Sequence, residues 1–449
     1  MKSVPAAPVC DFAEAYAARG PLRLHMPGHK GRGPAEALDI TEIQGAPALY
    51  PASGILRRSE DAAAELFGAE RTVYSAEGSS LCVRAMLFLA RLRAEEKGLP
   101  PLILAGRNAH RSFLSAAALL DLRVEWLWGD SPLTCRPSAR EVSAALDRME
   151  APPAAVWLTS PDYPGFTADI AGISGVCRSR DVPLLVDNAH GAYLRFLPED
   201  RHPLSLGADM TCDSAHKTLP VLTGGAYLHI RPGAPAVFAG QAERGMALFA
   251  STSPSWLILQ SLDRCNAALA EEYPARLAAF LPEVRACADR LRNMGYALTG
   301  DEPLKITVAP KAYGYTGDQL HDMLRARNIE CEFSDPDILV MMLSPETGRE
   351  GLSRLEEAMR AVPRRTPVRT APPRIPRPEA AMTPRQALLA PAEILPAENC
   401  AGRILADPGV SCPPAVPILV SGERIAREAL PLLAYYGLDR LSCVRREPA

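Results

Sequence analysis

A lysine stands beside a serine and a histidine in Ser214-Ala215-His216-Lys217. Its amine can condense with an aldehyde to a Schiff base, while the hydroxyl and imidazole next to it can hold a phosphate on the same molecule. Upstream, the apolar run Leu184-Leu185-Val186 ends in Asp187-Asn188-Ala189-His190. This reads as a buried strand that delivers an aspartate and a histidine at its C-terminal end. An aspartate facing a pyridinium nitrogen and a lysine joined to an aldehyde are the two groups that pyridoxal phosphate (PLP) most needs from a protein. A lone Ser-x-His-Lys usually marks a surface lysine. The strand-end Asp187 and His190, in this order and at this distance, give the lysine its chemical meaning.

A third element points the same way. Thr72-Val73-Tyr74-Ser75 reads as a strand that runs into Gly78-Ser79-Ser80, which opens a long helix to about Glu96. Backbone N–H groups, two hydroxyls and the helix dipole converge at such a turn and favour an anion. The same residues would also serve as a plain N-cap; the downstream lysine makes phosphate the better reading. Ser59 to Phe67 is expected to be a short helix with Ser59 as its N-cap and Gly68 as its stop.

Positioning these groups requires a sheet. Strand-like runs at Leu102–Ala105, Val124–Trp128, Ala155–Thr159 and Leu184–Asp187 alternate with helical stretches at His110–Leu120, Ser138–Met149 and Ile170–Arg180. Ser138 and Glu141 form a capping-box signature. This rhythm argues an α/β fold with a mostly parallel central sheet, whose ligands bind beyond the carboxyl ends of the strands. His110, Asp162, Asp187 and Lys217 all follow strands. A long helical region, roughly Leu257 to Met294 with kinks at Pro274 and Pro282, and the strand-like Leu304–Val308 and Ile338–Met342 suggest a smaller α/β domain. A stretch rich in proline and arginine from 364 to 378 reads as a stiff, extended linker.

Composition sets outer limits. The 449 residues suffice for two or three domains, and a net charge of -3 gives no field for nucleic acid or an anionic membrane surface. Aromatic residues make up 6%, without basic-aromatic interleaving, so no nucleic-acid partner is expected. No apolar run approaches a membrane span, and the first twenty residues do not read as a signal peptide. The 11 scattered cysteines include no C-x-x-C pair, which fits a reducing cytoplasm rather than a disulfide framework. His25 and His29 flank Pro27-Gly28, which forbids a helix there and argues against a metal pair, so no metal is expected.

The chain resembles the Orn/Lys/Arg decarboxylase family of fold-type-I PLP enzymes in its short form. The likeness rests on Met26 to Lys30, Asp39 to Glu42, Gly78-Ser79-Ser80, Arg107-Asn108-Ala109-His110, Asp187 to His190, Ser214 to Thr218, Ser251 to Ser255 and Met382 to Arg385, in that order. It implies an aspartate aminotransferase-like fold and decarboxylation of arginine, lysine or ornithine toward polyamines. It implies that Lys217 holds the cofactor and Asp187 pairs with the ring nitrogen. Ala189 would lie on one ring face and His110 on the other, with His190 near the phenolic oxygen. Gly78, Ser79, Ser80, Ser214 and His216 would hold the phosphate, joined by Thr252 from a second subunit. The partner is therefore a second copy, in a homodimer with shared active sites or a larger assembly of such dimers. Lys217 and His216 are the candidate proton donors to the α-carbon.

The implied organisation is an N-terminal arm (1–55), a large PLP-binding domain (56–250), a small α/β domain (251–363), a linker (364–381) and a C-terminal domain (382–449). The last includes Pro413 to Pro417 and Ser421-Gly422-Glu423. The chain also departs from the family. Ala46 to Leu49 replaces acidic residues, Asp162 stands where threonine is usual, and Asn188 and Tyr193 replace a glutamate and a histidine. Glu330, Glu332, Asp335 and Glu423 are possible partners for a cationic substrate side chain. Two other readings remain open at this level: an aminotransferase or lyase of the same fold, with Arg325 or Arg327 gripping a carboxylate, and a decayed paralogue that only binds.

Overall fold

The strands of the chain are short and rich in β-branched and aromatic residues. In chain order they are β1 (Arg71–Ser75), β2 (Leu102–Gly106), β3 (Arg123–Leu127), β4 (Ala155–Thr159), β5 (Leu184–Asp187), β6 (Met210–Asp213), β7 (Ala226–Ile230), β8 (Ala297–Thr299), β9 (Lys305–Ala309), β10 (Phe333–Ser334), β11 (Leu339–Met342), β12 (Ala392–Pro396), β13 (Gly409–Ser411), β14 (Pro417–Val420) and β15 (Arg440–Val444). A computed structural model describes residues 7–33, 36–128, 134–411 and 416–446; residues 413–415 of the C-terminal landmark lie outside them.

The chain forms two compact units. The first comprises Met1–Pro100, Glu150–Ser160 and Ile170–Arg276. Its strands lie in the order β1-β7-β6-β5-β4. β4, β5 and β6 are parallel, and Thr159 stands beside Asp187, which stands beside Cys212. β7 runs antiparallel to both β6 and β1, so the parallel run expected from the rhythm stops at β6. The reason is local: the chain leaves β6 through the four-residue helix Ala215–Thr218 and returns at once through Gly224-Gly225, too short a path for a parallel crossover. β4 is buried but for its last residue, and β5, β6 and β7 are buried throughout, as expected of strands covered on both faces.

Helices Ser79–Lys97 and Ala236–Phe249 pack on one another in this unit. The helix at 54–67 begins at Gly54 with Ser53 at its N-cap, a turn and a half before the expected start, and ends at Gly68, where φ is 67°. Ser59 is therefore an interior residue. It is fully buried, bonded to Asp263 and, at 2.7 Å, to the Tyr74 hydroxyl. The N-terminal arm contains a helix, Pro8–Ala18, whose first turn is tied to the Asp263 carboxylate by the N–H groups of Val9 and Cys10 at 2.9 and 3.0 Å. Ala46 and Leu49, which replace the expected acids, are buried apolar residues.

The second unit comprises Pro101–Met149, Pro161–Asp169 and Leu277–Ala449. It carries the parallel pair β2–β3 and a sheet in the order β10-β11-β9-β8, antiparallel throughout. It also carries the two-stranded pairs β12–β15 and β13–β14. Ser138 and Glu141 form the expected capping box. The proline- and arginine-rich stretch is extended and is pinned at its start, where Arg365 N–H donates to Tyr313 O and Val368 N–H to Lys311 O. The C-terminal part has its own core around Leu405, Ile418, Leu419, Ile425, Leu432 and Leu433.

Candidate active site

Lys217 lies on the exposed side of the short helix that follows β6, and its Nζ is 2.9 Å from His190 Nε2. His190 is buried, three residues beyond the end of β5. An ammonium donates to Nε2, which places the imidazole's own proton on Nδ1. Neighbouring parallel strands thus bring the predicted lysine and histidine together at their carboxyl ends, where ligands of such sheets bind.

Asp187 closes β5 and is buried. Its Oδ1 accepts from Ala189 N–H at 3.2 Å and from the Cys212 thiol at 3.5 Å. Burial, followed by the Asp187 carboxylate, pushes the Cys212 thiol well above its ordinary value, so it stays protonated and donates. Among the described residues Oδ2 accepts no hydrogen bond, which leaves one carboxylate oxygen for an outside cation. Cys212 gave no signal in the sequence; only the register of β5 against β6 reveals it.

The turn Gly78-Ser79-Ser80 opens the helix Ser79–Lys97. Gly78 is at the N-cap with φ 71°, makes no side-chain cap and has open space where a Cβ would stand. The first-turn N–H groups are left for a ligand, as an anion site requires. Ser79 Oγ is 2.8 Å from Ser214 Oγ, and Gly78 N–H donates to Gly224 O at 2.7 Å. The helix entry is therefore tied to the segment that carries Lys217. His216 donates from Nδ1 to Gly225 O at 2.9 Å. Desolvation lowers its pKa, so the ring is neutral at pH 7 and its Nε2 can donate to a phosphate only after taking up a proton. Thr252 is exposed; its segment is anchored by Ser251 N–H donating to Glu77 Oε1 at 2.7 Å, one residue before Gly78. A lysine, a half-open buried carboxylate and an uncapped helix entry with two hydroxyls fit PLP.

His110 and Asp162 belong to the second unit. His110 is the N-cap of the helix Arg111–Leu119, with its Nδ1 2.8 Å from Ser112 Oγ. Three residues before it, Arg107 is fully buried and forms a two-pronged pair with Glu423, both contacts 2.7 Å, while its guanidinium lies 4.4 Å from the Trp128 ring centre. Glu423 is thereby committed and is not a free partner for a substrate cation. Glu332 accepts from Tyr163 OH at 2.7 Å, and Glu330 pairs with Arg325 at 3.3 Å. Asp335 accepts the N–H groups of Asp337 and Ile338 at 2.7 and 2.8 Å. Asp162 accepts Phe166 N–H at 2.7 Å in a tight turn, and burial pushes its carboxyl up to about 7. Lys305, itself buried, donates to the carbonyls of Asp162 and Tyr163 at 3.2 Å and pairs with Glu302 at 2.8 Å. Arg325 and Arg327 are spent on Asp322 and on a helix carbonyl, respectively.

Known proteins share the sequence pattern and the fold of this chain. The family model for the Orn/Lys/Arg decarboxylase major domain matches residues 7–290, and that for the C-terminal domain of the same family matches residues 371–441. The arginine decarboxylase of Halalkalibacterium halodurans is 32% identical over 462 residues, covering 94% of this chain and 92% of that protein. The arginine decarboxylase of Bacillus subtilis is 30% identical over 460 residues, covering 94% of this chain and 91% of its own length. Among solved structures, the Francisella novicida lysine decarboxylase shares the fold, with a TM-score of 0.77 at 15% identity over 98% of this chain and 81% of that one. The chain belongs to the Orn/Lys/Arg decarboxylase family, the PLP-dependent decarboxylases of basic amino acids.

Proposed function

We propose that the substrate is arginine and that Lys217, Asp187 and His190 carry the reaction. The observation that carries this reading is the contact of Lys217 with His190 at the ends of adjacent parallel strands, beside a carboxylate with one oxygen unclaimed. That relatives are named arginine decarboxylase supports the choice of arginine over lysine and ornithine. When bound, PLP supplies the electron sink for the carbanion left as carbon dioxide departs. Lys217 would hold the cofactor covalently. Asp187 Oδ2 would keep a proton on the ring nitrogen, with Cys212 and Ala189 N–H steadying Oδ1. Ala189 and His190, just beyond Asp187, would contact the cofactor ring. Gly78, Ser79, Ser80, Ser214 and protonated His216 would hold the phosphate. Lys217 and His216 would return a proton to the α-carbon.

The reading extends to assembly. Thr252, on an exposed segment, would complete the phosphate site of a second copy, making a homodimer with shared sites. A two-fold axis makes that exchange reciprocal. The organisation proposed is an N-terminal arm (1–55), a large PLP-binding domain (56–250), a small α/β domain (251–363), a linker (364–381) and a C-terminal domain (382–449), and the product would feed polyamine synthesis in the cytoplasm. The test is a panel of amino acids offered to the purified, PLP-loaded protein, with carbon dioxide and amine measured. Release from arginine well above lysine and ornithine is expected. No release from any basic amino acid would overturn the reading.

A further inference from the structure

On the sheet face turned away from Asp187, a second set of groups joins the same two strands. Successive residues at a strand end point to opposite faces, so Asp187 and Cys212 lie on one side and Asn188 and Asp213 on the other. Asn188, Asp213, His202 and His229 are all fully buried. Asn188 Nδ2 donates to Asp213 Oδ1 at 2.9 Å. His202 Nδ1 accepts from Leu204 N–H at 3.2 Å, which leaves its proton on Nε2, and Nε2 donates to Asp213 Oδ2 at 2.7 Å. His229 lies behind them, its Nε2 3.6 Å from Asp213 Oδ2 and its Nδ1 2.8 Å from Thr72 Oγ1.

We infer that Asn188, Asp213 and His202 form a positioning clamp that fixes the separation of Asp187 and Lys217 from the back of the sheet. Asn188 is the residue after Asp187. Asp213 is the last residue of β6 before the helix that carries Lys217, and that helix has only four residues to hold its own direction. The strand ends are therefore bridged on both faces, by Cys212 to Asp187 in front and by Asn188 to Asp213 behind. Displacing a reacting group by about 1 Å costs on the order of 10²-fold in rate, so a bridge at this point matters to chemistry.

The clamp also explains why Asn188 departs from the family. A glutamate there would meet the buried Asp213 carboxylate with like charge. The amide supplies the donor that this carboxylate needs. Asn188 is thus matched to Asp213, not a mark of a decayed site.

The inference rests on the roles proposed for Lys217 and Asp187, and its test separates the two. Full-length Asn188→Asp, Asp213→Asn and the doubly exchanged chain are compared for PLP dissociation constant, the pH midpoint of the bound cofactor's visible absorbance, and thermal midpoint. Each single change is expected to weaken PLP binding at least tenfold and to move the pH midpoint. The exchange restores one donor and one acceptor and should return binding to within threefold of the original. Should Asn188→Asp not fold, Asn188→Ser takes its place, with tenfold weaker PLP expected at unchanged circular dichroism. Single variants that lower only the thermal midpoint would overturn the clamp, as would an exchanged chain no better than the worse single. Borohydride reduction of the unmodified holoenzyme and peptide mapping tests the other layer. Label on Lys217 with unaffected single variants removes the clamp alone, while label on another lysine removes the role of Lys217 itself.

Discussion

Asp187 and Cys212 face one another across the β5–β6 pair, and the thiol donates to the carboxylate oxygen that is not left for the cofactor. That division of one carboxylate into a held oxygen and an open one governs the first prediction. Asp187→Asn should retain PLP but lose about 10²-fold or more in kcat, since each ~1.4 kcal/mol of lost transition-state stabilisation is tenfold. Cys212→Ala should shift the pH profile of the bound cofactor's absorbance, whereas Cys212→Ser, which keeps a donor, should not. Unchanged turnover in Asp187→Asn would remove the ring-nitrogen assignment.

Lys217→Ala should abolish both turnover and covalent attachment of the cofactor. Reduction with borohydride followed by mass measurement checks it directly: the original protein gains the cofactor's mass and the variant does not.

The buried His229 makes stability depend on pH. Desolvation lowers its pKa to about 3, so the folded chain keeps the ring neutral where an unfolded one would take up a proton. Its contribution is complete above about 6.5 and is lost as the pH falls. Between pH 6.5 and 5 this one ring should cost about 2 kcal/mol. Asp213, held below its ordinary value by His202 despite its own desolvation, adds a loss in the same direction at lower pH. Urea unfolding at pH 7 and pH 5 should show the loss in the original chain and a flatter dependence in His229→Gln. Equal dependence in both would assign the acid sensitivity elsewhere.

Shared sites predict complementation. Lys217→Ala and Thr252→Ala chains, mixed so that subunits exchange, should regain activity, because a mixed dimer gathers both lesions in one site and leaves the other intact. Verified exchange without activity, or full activity in a monomer, would contradict a shared site.

Much of this arrangement was legible in the sequence, for a physical reason. Apolar runs such as Leu184-Leu185-Val186 bounded by polar turns suit buried strands, and the ends of neighbouring strands bring His190 and Lys217 into contact. What escaped was set by distant partners. Ser59 looked like an N-cap beside Glu60, yet its hydroxyl is claimed by Asp263, 204 residues away. The helix Pro8–Ala18 carried local signals in the proline at its start and in Asp11 of its first turn, and it is held by that same Asp263. Glu423 looked available to a substrate because its partner, Arg107, is 316 residues distant.

That last pairing bears on how the gene can be cut. A chain ended before Met382 would strip the Arg107 guanidinium of the Glu423 carboxylate and of the Pro417 and Ile418 carbonyls that also accept from it, three residues from His110 at the mouth of its helix. The excised tail, expressed alone, would hold Glu423 without the guanidinium that neutralises it. The C-terminal segment is therefore no detachable cassette: natural fission or engineered truncation in the proline- and arginine-rich stretch should yield two destabilised pieces rather than a smaller enzyme.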